Sequence, residues 1–390
     1  MYDLLEGIRV LEVTIAAPDG LGAQLGAMGA EVIKIEKPPV GDTTRILPEP
    51  LIHLLWNQGK KSVAMDLDCP EARDVWLDLA KTSHVVIDGL RSGAMERFGL
   101  TYEATRAINP SVVYCSLSGT GQSGPYRRLG THAPGFDAFA GMAPVAFRED
   151  GLPHMAPHTP VGVQPGILAA AFAVAAALVK AQRTGRGQYI DVAELDAVAL
   201  WRSLDMTRGL NRGWTATGSR WGTNDAVRGQ YYETRDGKYV VFQPFEEKFW
   251  RNFCRAVGRP DLGERSSGAP ADLASGDETL RLELVAIMKT RTQAEWIDFF
   301  IEQNVPGMPV HTLPELVDDP HFQARGNLAT VEDPQLGHVV MPTTPIKLPD
   351  QTYEVRPAPL LGEHTDEVLL ALPGYDAQRV AELRERGVIQ

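Results

Sequence analysis

The sequence predicts an α/β protein: a mainly parallel sheet covered by helices, joined to a second, smaller α+β unit. Three observations carry this. Strand-like and helix-like runs alternate through the first half of the chain. A long Ala-rich stretch, PGILAAAFAVAAALVKAQ, is apolar through its middle. Around residues 209–230 the composition shifts to Gly, Arg, Asn and Trp, and a hairpin pattern and further helices follow. With 390 residues, the chain is too long for one ordinary core, which fits one large and one smaller domain.

In order along the chain, residues 8–13 read as a buried strand and 21–28 as a helix rich in small residues. Residues 31–36 (EVIKIE) alternate like a strand, and 62–67, 84–87 and 112–117 are further β-rich runs, separated by helical stretches near 70–82 and 101–108. The apolar run 167–179 is thirteen residues long, too short to cross a bilayer, and its alanines suit a central helix packed closely on both sides, with Pro165 near its first turn. Residues 188–192 add a strand. YYETRDGKYVVFQP then reads as a hairpin turning at Asp236-Gly237, and helices are expected near 246–257, 277–289 and 292–303. After Pro314 the Pro-rich chain is expected to run as extended connections to a short helix near 375–386.

The formal charge of −12 argues against a duplex nucleic-acid binder, which needs excess Lys and Arg to neutralise phosphates. Cys69, Cys115 and Cys254 are far apart, so neither a disulfide framework nor a zinc site is expected. The scattered cysteines make a reducing cytoplasm the expected location; MYDLLEGIRVLEV lacks the basic-then-apolar layout of a signal peptide, and no membrane partner is expected.

Gly119, Gly121 and Gly124 form G-x-G-x-x-G after a strand, but Pro125 and two arginines follow where a dinucleotide site would open a helix; a glycine turn is the better reading. His154 and His158 are four apart, yet Pro153, Pro157 and Pro160 break any helix that would present both to a metal, so none is expected. Asp137, in PGFDAFAGM, is either a helix cap or a site carboxylate. Arg91, Arg97 and Lys37 lie at strand ends, where an anion can dock at a parallel sheet. Trp214, Trp221, Tyr231 and Tyr232 could line an aromatic pocket or simply pack.

Several segments resemble, in order, the class III CoA-transferase family, which also contains α-methylacyl-CoA racemases. They are LEGIRVLEVTIAAPDG, LGAMGAEVIKIEKPPVGDTTR, NQGKKSVAMDL, RSGAMERFGL, INPSVVYCSLSGTGQSGPY, PGFDAFAGM, ALVKAQRTGRGQYIDVAELDAV, VPGMPVHTLPEL and APLLGEHTDEVL. The resemblance implies a large doubly wound, Rossmann-like domain built from both chain ends. Residues 1–208 would form its first part, 209–229 a linker, 230–325 the inserted domain, and 326–390 the return segment. It also implies two chains interlocked as linked rings, and coenzyme A or acyl-CoA as substrate with a carboxylic acid. Carried over residue by residue, the CoA contacts fall on Ala16, Ala17, Lys37, Leu90 and Arg97, and the acidic residue after the glycine turn on Asp137.

The family's transfer chemistry uses an aspartate that attacks the thioester, forming a mixed anhydride and expelling CoA thiolate. That Asp belongs just before the Ala-rich helix, where HTPVGVQPG offers Gly162 and Val163. Gln164 can hydrogen-bond but not attack. The racemase branch also needs a His where Phe136 stands, with His132 a few residues off. The expected function is therefore an Asp-lacking subunit completed by a homologous Asp-bearing chain. The alternatives are a self-contained acyl-CoA lyase, dehydratase or isomerase using Asp137 or His132, or an acyl-CoA-binding homodimer without turnover.

Overall fold

The computed structural model describes residues 1–214 and 225–390, so Trp221 and the middle of the expected 209–229 linker lie outside the described residues. The first strands are β1 (Arg9–Thr14), β2 (Glu31–Glu36), β3 (Lys61–Ala64), β4 (Val85–Gly89) and β5 (Val113–Ser118). A small hairpin, β6 (Val145–Phe147) with β7 (Pro153–Met155), precedes β8 (Gln188–Ala193). The main sheet has the order β3-β2-β1-β4-β5-β8, with every neighbouring pair parallel.

Period-2 alternation builds a core on each face of this sheet. Leu11, Ile33, Val86 and Tyr114 point to one core, which helix Ala72–Lys81 and the C-terminal helices Thr365–Leu370 and Ala377–Glu385 cover with Trp76, Leu369 and Leu383. Val10, Val32, Val85 and Cys115 point to the other, covered by helices Asp19–Ala27 and Gln164–Thr184 through Leu21, Leu25, Ile167 and Val174. Both chain ends thus contribute to one compact unit, Met1–Ser203 with Gly326–Gln390.

The second unit is Leu204–Arg325. Strands β9 (Gln230–Glu233), β10 (Tyr239–Phe242) and β11 (Gly307–Val310) form an antiparallel sheet, in which Gly237 takes the left-handed turn position (φ +75°) between β9 and β10. Helices Glu247–Ala256, Glu278–Met288 and Gln293–Gln303 pack on it through Trp250, Phe253, Trp296 and Phe300. Tyr232 belongs to this core, with its hydroxyl donating to the Val227 carbonyl, while Tyr231 and Trp214 are exposed.

Two expectations are corrected. The Ala-rich helix runs for 21 residues, Gln164–Thr184, and buries only one face. Leu168, Phe172 and Val179 on its other face are 48%, 78% and 55% exposed. Alanine allows close packing on either side but does not require it, so composition alone overstated the burial. By length and composition this helix would pass for a membrane span, yet its inner face is part of the sheet's core.

The Pro-rich stretch after residue 313 is also more ordered than expected. Thr312 and Glu315 form a capping box that opens helix Leu313–Asp318 with Pro314 in its first turn, and Asp319 caps helix Pro320–Ala324. β12 (Leu328–Asp333) then pairs with β13 (Gly337–Pro342). Proline in a first turn lacks an N–H that would be unpaired anyway, so here it starts helices.

Candidate active site

Strand order reverses direction between β1 and β4, the point where an open parallel sheet leaves a crevice beyond its carboxyl ends. The turn after β1 lines this crevice with Ile15, Ala16, Ala17 and Pro18. Ala16 adopts φ +59°, an uncommon conformation for a residue with a side chain. Its amide donates to the Asp42 carboxylate at 3.1 Å, which holds the turn in place.

Beneath the turn lies a buried ion cluster. The Lys34 ammonium, from β2, is 2.5 Å from Asp19, 3.0 Å from Asp42 and 3.6 Å from Glu12. Lys60 pairs with Glu12 at 2.7 Å. Burial pushes Asp19 up to about 6 against the pull of Lys34 and Lys60. Burial also opposes the Lys34 charge, but Asp19, Glu12 and Asp42 outweigh it and raise its pKa.

The cleft, of about 510 Å³, is completed by Gly89 to Ser92 after β4, by Ser118, Gly119 and Thr120 after β5, and by His132, Phe136 and Glu194. An adjoining groove of about 440 Å³ shares Ile15, Leu90 and Arg91 with it. That groove has apolar walls at Met65, Leu67 and Phe98 and carries Lys37 and Arg97. Ala16, Ala17, Leu90, Lys37 and Arg97 therefore all line one connected surface, Leu90 standing where its two parts meet. Lys37 is 58% exposed and pairs with Asp68 at 2.5 Å and Asp66 at 3.2 Å; Arg97 lies over the Phe98 ring. Exposed pairs of this kind are weak, so an incoming anion can exchange for the carboxylates.

The stretch before the long helix carries a carboxylate at each end. Gly162 has φ +61° and donates its amide to Asp137 at 3.1 Å. Asp137 is 1% exposed, and its other oxygen is 3.3 Å from His158, whose second ring nitrogen is 3.1 Å from the Ala156 carbonyl. Asp137 is thus spoken for on both oxygens. His158, expected only as a loop residue, is its partner. Gln164 is exposed and lines a separate cavity of about 230 Å³ with Gly20, Trp56 and Tyr353, so the structure does not bring it to the cleft with the others.

Glu194 sits at the other end. It is the first residue of helix Glu194–Leu200, directly after β8, is 1% exposed, and neither of its oxygens has a hydrogen-bond partner. Its carboxyl lies against Gly166, in the first turn of the long helix, so closely that a Cβ there would fall 2.1 Å from Oε2. Burial raises Glu194 to about 8; the Gly166 backbone favours the ionised form only partly. Nothing in the sequence singles out Glu194, because an acid in the first turn of a helix is ordinary.

The family model for CoA-transferase family III matches residues 5–365 of this chain. The chain is 29% identical to a formyl-CoA:oxalate CoA-transferase of Rhodopseudomonas palustris, covering 100% of this chain and 98% of the relative. It is 32% identical to the succinyl-CoA–L-malate CoA-transferase alpha subunit of Chloroflexus aurantiacus, covering 99% and 92%. Among solved structures, Rv3272 from M. tuberculosis aligns with a TM-score of 0.77 at 29% identity, covering 93% of this chain and 98% of that one.

Proposed function

Because the chain belongs to CoA-transferase family III, we propose that it transfers CoA between acyl-CoA thioesters and carboxylic acids in the cleft beside β1. The observation that carries this reading is the connected surface at the sheet's reversal point. A cation-bearing apolar groove opens there into a cleft walled by strand-end backbone and a buried carboxylate. CoA's phosphates call for cations, its adenine for an apolar wall, and its thioester for backbone N–H groups near a nucleophile. Lys37 and Arg97 are assigned to the phosphates, Leu90 to the joint, and Ala16 and Ala17 to the thioester end. His132, on the cleft wall, remains a candidate proton carrier.

Acetyl-, succinyl- and formyl-CoA, each offered with oxalate, malate or glutarate and followed by mass spectrometry, test the proposal. Acid-dependent exchange of the CoA thioester is expected. Unchanged thioesters in every combination, with or without a homologous chain present, would sink it. Lys37→Ala combined with Arg97→Ala is expected to weaken CoA binding roughly 10- to 100-fold by calorimetry, with kcat nearly unchanged.

A second reading, an Asp-lacking subunit working beside an Asp-bearing homologue, is favoured by Gly162 and by a relative named as an alpha subunit. On that reading Gly162→Asp gives the isolated chain an activity it otherwise lacks. A Cβ at Gly162 meets nothing nearer than Ala133 at 3.7 Å, and at φ +61° Asp is better tolerated than most residues. Activity unchanged by this substitution counts against pairing. The exposed apolar face of helix Gln164–Thr184 supports association with a second chain, and interlocking of the two is part of the proposal. A cytoplasmic location is proposed with it.

A further inference from the structure

We propose that Glu194 is the carboxylate that accepts the acyl group, doing from the end of β8 what an aspartate at position 162 would do. The inference rests on the reading that the cleft holds the thioester end of acyl-CoA, and it favours a self-sufficient chain over a paired one.

A buried carboxylate that makes no well-formed hydrogen bond, with only the Gly166 backbone near enough to favour its charge, is rare, because burial removes water that nothing fully replaces. Glu194 is also one of the residues that line the cleft of about 510 Å³, which is large enough for a substrate end. Ala17, Gly119 and Thr120 share that cleft, so backbone amides that can steady a developing oxyanion lie on the same walls, while the Ala16 amide is held by Asp42. Gly166 leaves the space the carboxyl occupies and sits in the first turn of a 21-residue helix, whose positive end favours an anion. The other nearby acid, Asp137, is already engaged by His158 and the Gly162 amide.

The step balances without an outside reagent. A Glu194 oxygen attacks the thioester carbonyl, and the C–S bond breaks with its electron pair leaving on CoA thiolate. This gives an acyl–glutamyl anhydride. Thiolate then attacks Cδ of Glu194, the anhydride C–O bond breaks, and the first acid leaves as carboxylate, leaving a glutamyl-CoA thioester. The acceptor carboxylate reverses both steps: it expels thiolate, and thiolate takes up the new acyl group, regenerating the Glu194 carboxylate.

Attack needs the anion, and the free carboxyl ionises only near pH 8 because it is buried. Turnover should therefore climb from pH 6.5 to 8.5. The other titratable side chains on the cleft wall are Arg91, Arg127 and His132, with Asp137 on the helix that supplies Phe136.

The test uses the full chain. Hydroxylamine added during turnover of succinyl-CoA should leave a hydroxamate on Glu194. With an ¹⁸O-labelled acceptor acid, one label should appear in the Glu194 carboxyl. Glu194→Gln should lower kcat at least about a thousandfold while CoA still binds as tightly, and Glu194→Asp should retain part of the rate. A Glu194→Gln chain within a few-fold of the unsubstituted rate overturns the proposal, as does adduct or label on Asp137 or on another chain. A chain that binds CoA but neither turns over nor forms an adduct at Glu194 overturns it too. If the unsubstituted chain binds no CoA, the reading of the cleft fails instead, and the two failures are told apart by calorimetry.

Discussion

Lys34→Met is expected to destabilise the protein by about 3–5 kcal/mol near pH 8, the scale for removing one partner from a buried ion cluster. The substitution keeps most of the side-chain volume, so cavity formation adds little. What it removes is the ammonium that lies between Asp19, Asp42 and Glu12. Only Lys60 would remain, and it touches Glu12.

The sign of the pH dependence follows. Desolvated, mutually repelling carboxylates titrate above their unfolded values, so the folded variant binds more protons than the unfolded chain. Their ionisation costs stability as pH rises, and that loss is reversed on acidification. The variant should thus recover much of its deficit near pH 5. Urea denaturation at pH 5 and pH 8 measures it; a deficit equal at both values, or below about 1 kcal/mol, would mean the cluster is not the compensated assembly described above. Catalysis should suffer as well, because Asp42 holds the Ala16 amide at the cleft.

Gly166→Ala is expected to lower kcat by about a hundredfold, the scale for an ångström-sized misplacement of a reacting group. It should also destabilise the fold by about 1–3 kcal/mol through overpacking. The added methyl would stand 2.1 Å from Oε2 and 2.6 Å from Cδ of Glu194, so that side chain must leave its position. The cause can be isolated with a double-mutant cycle. In a Glu194→Ala background the clash is gone, and alanine in the first turn of a helix is better than glycine. There the same substitution should be neutral or slightly stabilising. A stability loss of equal size in both backgrounds would place the crowding elsewhere.

Much of the large sheet was legible in the sequence because buried parallel strands are short apolar runs between breakers. Residues 31–36 were read at full length, and the other five strands within a few residues at each end. The exposed half of the long helix was not legible, since the sequence of Ala, Leu and Phe does not say whether each faces a core or the outside of the chain. The helices after Thr312 were missed because proline was weighed as a breaker rather than as a first-turn residue.

At the site, the departure at Gly162 was visible because it is a change of residue at a fixed place. The pairing of Asp137 with His158 was not, since a Pro-flanked loop gives no periodicity from which to infer contacts. Glu194 was invisible for a related reason. Only the fold reveals that the acid opening a helix after β8 packs against Gly166, in the first turn of the long helix that precedes β8.

The edge of the main sheet has one more consequence. The Asp66 amide bonds to the Val388 carbonyl and the Gln390 amide to that of Ala64, so residues 388–390 close the β3 border. During synthesis, strands made first stay unfinished until residues 388–390 have emerged from the ribosome. The Leu204–Arg325 unit, whose residues are contiguous, meets no such delay. A chain truncated near residue 330 and released from the ribosome should therefore protect the inserted unit from protease while the N-terminal half remains open to cleavage.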